Sequence, residues 1–496
     1  MEGARGRLAR GVAWIGAARV LINLFSFVST IILARLLMPE DFGLVAIVAA
    51  AATIVTSLTE LSLTQALIAE KDLQEDDFRS AWTLNLLRAA VLALIMAGCA
   101  IPLADAYGEQ RLVALFLVMA AGCFVGALEN PKLVIFQRDL VFSQVFVVQV
   151  TERLLASVVA IVIALIYQTY WALVVGTIVG TTARVVVSYF MVPFRPHLTL
   201  VRSRGLLSFS LWLTLGNLVK TANMRSIPLV IAAVLPTTAV GVFSLADRMS
   251  NTPLRESMGA IQNALFPAYA RIAGDAARLR SAYLRSQAIS SAIALPLGFG
   301  MAAVAEPLVH AFVGAKWQPA VPVIAILAVA SALAATQNAL ALAMATRQPE
   351  QILYRNLRTF AIQFPLLAAG YWIGSVTEIG PFLGLVAGQG CSSLVNTGLN
   401  YGLVRKIAGI AIRDQFAAIA RPLVAAAAMT VAALLFLEVL MERGSDEASL
   451  QTLLLACAFG ATTYAFVLAL LVMLTGKRDS PERELFGMAR SFLQRK

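Results

Sequence analysis

AWTLNLLRAAVLALIMAGCAIPLA, residues 81–104, carries a single charged side chain, Arg88. Coiled as an α-helix it would be about 36 Å long, at about 1.5 Å per residue. The hydrocarbon core of a bilayer is about 30 Å thick, and a segment crossing it must satisfy its own backbone hydrogen bonds. The stretch therefore predicts a membrane-spanning helix, and the chain on either side repeats the pattern.

Fourteen such segments are predicted, near 12–34, 42–66, 81–104, 112–136, 142–167, 170–194, 207–235, 239–266, 286–310, 320–345, 357–375, 381–404, 422–440 and 450–474. The first follows Arg5, Arg7 and Arg10, as a secretory signal would, but its apolar run is too long for one and reads as a span. Composition agrees: 59% of the 496 residues are hydrophobic and 14% charged, against about 25% charged in soluble domains. The expected fold class is all-α and polytopic, with no domain that could live in water.

The net charge of +11 does not predict a nucleic-acid partner, because the basic residues form short clusters between apolar stretches. They set orientation instead. With the N-terminus placed in the cytoplasm, 27 of the 39 Lys and Arg fall on the cytoplasmic face. Four, Arg35, Arg111, Lys316 and Arg443, fall on the other, and eight lie inside helices. A missed helix would scramble that split, so both termini are expected to be cytoplasmic. The tail, 476–496, reads as cytoplasmic, with an apolar face formed by Leu485, Phe486, Ala489, Phe492 and Leu493.

Cys99, Cys123, Cys391 and Cys457 all lie in apolar stretches without paired spacing, and His197 and His310 are isolated. No disulfide framework, metal site or cofactor is expected. There is no GxxxxGK[ST] loop, HExxH or nucleophile elbow, so the chain reads as a non-enzyme that does not hydrolyse ATP. Its driving force would be an ion gradient, the membrane potential or consumption of the product, with the ion left open.

A duplication is also visible. At an offset of 198 residues, Trp14, Ala34, Leu37 and Gly43 meet Trp212, Ala232, Leu235 and Gly241. Six helices per repeat predict two lobes of like orientation: 1–200 and 201–410, followed by two additional helices in 411–475.

The charges inside helices are the candidate functional residues. The basic ones are Arg19, Arg88, Arg153, Arg184, Lys220, Arg225, Arg248 and Arg255; the acids include Glu60, Glu129, Glu152, Asp247 and Glu256. A charge at the bilayer centre costs about 2.5–3.5 kcal/mol on insertion scales, so these should face protein or a wet cavity. Arg19 and Glu60 lie at matching depths and could simply neutralise each other. Measured from the turn near Pro236, Arg225 and Arg248 are each about 15 Å deep, and Lys220 and Arg255 about 22–24 Å. Arg248 and Arg255, seven apart, share a helix face. These four, helped by Arg19, form an expected cationic ladder for a phosphate-bearing substrate; Glu60, Arg153 and Asp247 are expected in the cavity or in ion coupling. Pairing with Asp247, Glu256 or other helices is the structural alternative.

LARLLMPEDFGLVAI at 33–47 and LSLTQALIAEKDL at 61–73 resemble the opening of Wzx-type oligosaccharide flippases. RDLVFSQ at 138–144, YWALVVGTIVG at 170–180, GVFSLADRMSNTPL at 241–254 and LFPAYARIAGD at 265–275 are similar to the same family. It is the polysaccharide-transport branch of the MOP (multidrug/oligosaccharidyl-lipid/polysaccharide) superfamily. The resemblance implies two six-helix lobes around a central cavity, alternating access, and a location in the bacterial inner membrane. The implied cargo is an undecaprenyl-pyrophosphate-linked oligosaccharide, flipped to the periplasmic leaflet for exopolysaccharide, capsule or O-antigen (lipopolysaccharide) synthesis. Membrane lipids and a polysaccharide polymerase are the implied partners. The two extra helices resemble those of lipid II flippases, where they form a groove for the lipid tail.

Two other functions fit a polytopic chain. A membrane-embedded glycosyltransferase or polymerase would carry acidic catalytic residues in a sizeable periplasmic loop, and the loops here are short. A drug/cation antiporter of the same superfamily would line its cavity with carboxylates, whereas these helices are richer in arginine.

Overall fold

A computed structural model describes residues 21–59, 63, 67, 73–139, 141–201, 211–442 and 450–474. Among the described residues the regular structure is helical, with no strand. Contacts divide the chain into two compact units, Met1–Gly241 and Val242–Lys496.

The first unit opens with α1, Leu21–Leu36, and α2, Pro39–Thr59. The turn between them is short because Pro39 starts α2 and the Asp41 carboxylate accepts the Met38 N–H at 2.9 Å. Next come α3, Glu75–Ala106, and α4, Arg111–Ala127. α3 starts where the Asp77 carboxylate accepts the Gln74 N–H at 2.8 Å, with Glu75 and Asp76 beside it complementing the helix dipole. A short α5, Val134–Arg138, leads to α6, Phe142–Tyr167, and α7, Trp171–Met191. The break between these two falls at Gln168, as the sequence predicts, with a left-handed φ of 49°. α8, Leu211–Val234, packs on α2. The pairs α3–α4 and α6–α7 are antiparallel hairpins, and α4 also packs on α7.

The second unit takes up most of α9, Thr237–Ile272, followed by α10, Ala276–Ala303, and α11, Ala305–Phe312. Then come α12, Ala320–Ala335, and α13, Ala339–Ala345, and the hairpin of α14, Pro349–Val376, with α15, Pro381–Ala408. The last pair is α16, Ile412–Glu442, and α17, Leu450–Leu474. α10 packs against α12 and α16, and α16 against α17.

Each of the fourteen predicted segments holds a helix, but several edges and three interiors differ. The segment predicted at 112–136 breaks after Ala127, where α4 ends, and resumes as α5 at Val134. The segment predicted at 286–310 starts ten residues earlier and breaks at Val304. The one at 320–345 is interrupted at Thr336–Asn338. The one at 357–375 starts at Pro349, so Arg355, placed before the helix from sequence, belongs to α14. Hydropathy marks the apolar middle of a helix, whereas its start is set by a proline or a cap. Among the described residues nine helices are long and apolar enough to cross a membrane, and three shorter apolar ones accompany them. α9, with Asp247, Arg248, Asn251, Arg255 and Glu256, is not apolar enough to count among the nine.

Candidate functional site

The site in the first unit follows from a spacing of four. Gly176, Gly180 and Arg184 lie on one face of α7; Glu152, Ala156 and Ala160 lie on one face of α6. The two faces meet tightly. A Cβ built on Gly176 would lie 2.7 Å from the Ala156 carbonyl oxygen and 2.7 Å from Ala160 Cβ. One on Gly180 would lie 2.7 Å from Ala156 Cβ and 2.8 Å from the Glu152 carbonyl oxygen. Small residues thus let the backbones touch, as in close-packed membrane helices. The same register carries Arg184 to Glu152.

Arg184 stands between two acids. Its Nε is 3.6 Å from Glu129 Oε2, and its Nη1 is 3.7 Å from Glu152 Oε2. Both separations are within ion-pair reach but too long for hydrogen bonds. The buried Nε has no hydrogen-bond partner. All three side chains are half-buried. The guanidinium is therefore neutralised without being tightly held, an arrangement in which water or a second anion could compete.

The neighbouring charges extend this node. Arg153 Nε donates to Ser26 Oγ at 2.6 Å and ties α6 to α1. Asn85 Nδ2 donates to the Ala127 carbonyl at 3.1 Å, where α4 ends. Asn130 Nδ2 donates to the carbonyls of Ser188 and Val192 at 3.2 and 2.8 Å, fixing the loop that presents Glu129.

Two cavities meet here. One, of about 630 Å³, is lined by Trp82, Asn85, Arg88, Glu129, Thr181 and Arg184 among others. The other, of about 510 Å³, is lined by Ser26, Gln149, Glu152, Arg153 and Arg184 among others. Glu129, Leu133, Thr177 and Arg184 belong to both walls. Among the described residues that line the two cavities, Arg88, Arg153 and Arg184 stand against Glu129 and Glu152, three basic side chains to two acidic ones. Cavities of this size can take a charged headgroup or a sugar.

Of the residues singled out from sequence, Arg153 joins this node and shares it with Glu152. Arg225 lies exposed on α8 in the first unit, and Arg248 and Arg255 lie exposed on α9 in the second. Arg225 and Arg255 have no hydrogen-bond or ion-pair partner among the described residues. Asp247 accepts from Asn251 Nδ2 at 2.6 Å, an i,i+4 contact within α9. Arg19 and Glu60 lie outside the described residues, as does the side chain of Lys220. Arg88, Glu129, Glu152 and Arg184 are among the intramembrane charges that the sequence marks as candidates, outside the expected ladder and coupling set. The overlooked signal was the run Gly176, Gly180, Arg184, which forecasts which partner helix Arg184 must meet.

Comparison with known proteins gives a consistent picture. A family model described as "Polysaccharide biosynthesis protein" matches residues 32–322. The succinoglycan biosynthesis transport protein ExoT of Rhizobium meliloti (strain 1021) is 26% identical over 334 residues, 66% of each chain. The lipopolysaccharide biosynthesis protein WzxC of Escherichia coli (strain K12) is 22% identical over 408 residues, 81% of this chain and 82% of WzxC. Among solved structures, the lipid II flippase MurJ in an inward closed conformation superposes with a TM-score of 0.71 at 12% identity. It covers 94% of this chain and 100% of MurJ. An inward-facing multidrug resistance MATE family transporter of the MOP superfamily gives 0.57 at 16% identity, over 78% of this chain. Both likenesses concern the fold.

Proposed function

The chain belongs to the polysaccharide biosynthesis protein family, whose model matches residues 32–322, and from that premise we propose that it flips a lipid-linked oligosaccharide across the membrane. The observation that carries the proposal is the polar node between two cavities inside a bundle of apolar helices, with Arg88, Arg153 and Arg184 in its walls. A phosphate-linked sugar has to leave a hydrated surface and pass an apolar slab, and an unpaired anion would meet a prohibitive cost there. Guanidinium groups stay charged when partly buried and bind phosphate oxygens in a bidentate way.

In this reading the cargo is an undecaprenyl-pyrophosphate-linked repeat unit moved from the cytoplasmic to the periplasmic leaflet of the inner membrane. Lys220, Arg225, Arg248 and Arg255, with Arg19, pass the pyrophosphate along by alternating access between lobes 1–200 and 201–410. Glu129 and Glu152 hold Arg184 when no cargo competes. Both termini are cytoplasmic, and a polymerase consumes the product. Cysteine labelling tests the topology: Ser445→Cys should react from outside intact cells and Ser480→Cys should not. Both positions lie outside the described residues.

A drug/cation antiporter is the weaker reading, since an organic cation would be repelled by the excess arginine of the node. Transport of a fluorescent lipid-linked oligosaccharide by purified protein in proteoliposomes, without ATP, separates the two.

A further inference from the structure

We propose that the α14–α15 hairpin of the second unit carries an anion site in which Arg355, Asn356, Asn396 and Asn400 hold the phosphate of a membrane-lipid headgroup. The inference does not rest on the transport reading. It starts from the same device that builds the Arg184 node. Gly370 and Gly374 on α14 face Gly384 and Gly388 on α15 so closely that an added Cβ on Gly370 would lie 3.0 Å from Gly388 Cα. Two and three turns beyond Gly388 on that face stand Asn396 and Asn400. The tight seam sets them against Thr359 and Arg355.

What the seam brings together is unlike the first unit. Arg355 Nη1 donates to Asn400 Oδ1 at 2.9 Å and to Asn396 Oδ1 at 3.3 Å, and Nη2 donates to Asn356 Oδ1 at 2.7 Å. Thr359 Oγ1 also donates to Asn396 Oδ1, at 3.0 Å. Every partner is neutral, and no carboxylate lies within ion-pair reach among the described residues. Arg184 is neutralised by two acids; Arg355 keeps its whole charge.

Hydrogen-bond arithmetic then defines the ligand. The guanidinium occupies the carbonyl side of three carboxamides, which leaves their NH2 groups as donors. Arg355 Nε is buried and has no partner. With the carboxamide oxygens turned to the guanidinium, the cluster offers NH2 donors and a positive charge, which is complementary to an oxyanion. A half-buried cation left without a counter-charge inside a membrane helix is costly, and residues retained at that cost serve ligands.

The surroundings indicate a lipid as the bearer of the oxyanion. Tyr354, Leu357 and Leu394, beside the cluster, are 59%, 44% and 48% exposed, so it borders an apolar outer surface. Arg355 is six residues into α14, about 9 Å from its start, a depth that a headgroup phosphate and a snorkelling arginine can share. Arg358 on α14 and Arg405 and Lys406 in the last turn of α15 add positive charge at the same end of the hairpin.

The test uses full-length, delipidated protein in detergent. It is titrated with short-chain phosphatidylglycerol, the matching uncharged diacylglycerol and inorganic pyrophosphate, with isothermal titration calorimetry as readout. Phosphatidylglycerol should bind, and diacylglycerol should not. Arg355→Gln should weaken binding about tenfold or more, the scale of losing a charge-assisted contact, and Arg355→Lys should fall between. Arg358→Gln, on the exposed turn above, should change it less than about threefold. Asn400→Asp separates binding from folding, because it gives Arg355 a carboxylate partner: the variant should unfold no earlier than wild type yet lose the lipid. Wild-type affinity in Asn400→Asp, or equal losses in Arg355→Gln and Arg358→Gln, would overturn the site. Binding of pyrophosphate without phosphatidylglycerol would overturn its assignment to a lipid headgroup.

Discussion

Gly43 and Gly241 exchange contacts: a Cβ on Gly43 would overlap the Thr237 carbonyl oxygen, and a Cβ on Gly241 would overlap the Pro39 carbonyl oxygen. Gly43 and Gly241 are 198 residues apart, as are Pro39 and Thr237, and 198 is the offset at which the sequence resembles itself. Equivalent positions of two repeats produce such reciprocity, which supports reading the chain as duplicated. The contacts are backbone to backbone, so no side-chain rotation can relieve a clash. Gly43→Ala should therefore cost about 1–3 kcal/mol by overpacking. Gly98→Ala is the control: a Cβ there meets nothing within 4 Å, and Ala should be neutral or stabilising by up to about 1 kcal/mol. Thermal unfolding in detergent compares them, and equal midpoints would remove the close approach.

The Arg184 node predicts an order of costs. Arg184→Gln leaves Glu129 and Glu152 half-buried without their shared cation, and should destabilise by about 1–3 kcal/mol once partial exposure is discounted. Glu129→Gln or Glu152→Gln leaves Arg184 one acid and should cost less. The double variant Arg184→Gln/Glu152→Gln should recover part of the stability and none of the transport. Restored transport in the double variant would show that the node only holds the helices together.

For the ladder, Arg225→Gln and Arg248→Gln should each shift stability by less than about 0.5 kcal/mol, because both side chains are exposed. Each should nevertheless abolish transport, and Lys at either position should restore part of it, since charge survives while the guanidinium fork is lost. Gln variants that fold and transport normally would remove these residues from the transport path.

A pH dependence is expected outside the membrane. Arg111 donates to Glu109 from Nε at 2.8 Å and from Nη2 at 2.7 Å, and Nη2 also bonds Glu40 at the start of α2. The hydrogen bonds from Arg111 hold the Glu109 carboxyl below its ordinary value of 4.5. A carboxyl whose folded value is depressed stabilises the fold above its unfolded value and loses that contribution as pH falls through the folded one. The difference in melting temperature between wild type and Arg111→Gln should thus be constant above about pH 5 and shrink below 4.5. The stability difference behind it should be less than about 1 kcal/mol, since the pair is partly exposed. A difference that grows on acidification would reverse the sign.

Much of this fold could be read from sequence because lipid imposes one simple rule on backbone and side chain alike. Apolar runs located the helices, and the polar step at Gln168 located the break between α6 and α7. The site was less legible for a specific reason. Arg153, Arg184, Glu129 and Glu152 are visible as charges in apolar runs, but their pairing depends on the register between helices. That register is written in the small residues Gly176, Gly180, Ala156 and Ala160, not in the charges. Arg355 was hidden twice: hydropathy placed it in a loop before a helix that starts earlier, at Pro349, and its partners are asparagines, which carry no charge signal.

The central claim is that this chain moves a pyrophosphate-linked sugar lipid through an arginine-lined path. Its most direct test is the rate at which a fluorescent undecaprenyl-pyrophosphate oligosaccharide reaches the opposite leaflet of proteoliposomes containing only this protein, without nucleotide. The account predicts flipping well above protein-free vesicles in wild type and a return to the protein-free rate in Arg225→Gln and Arg184→Gln/Glu152→Gln. A wild-type rate equal to that of empty vesicles, with or without an imposed ion gradient, would contradict it.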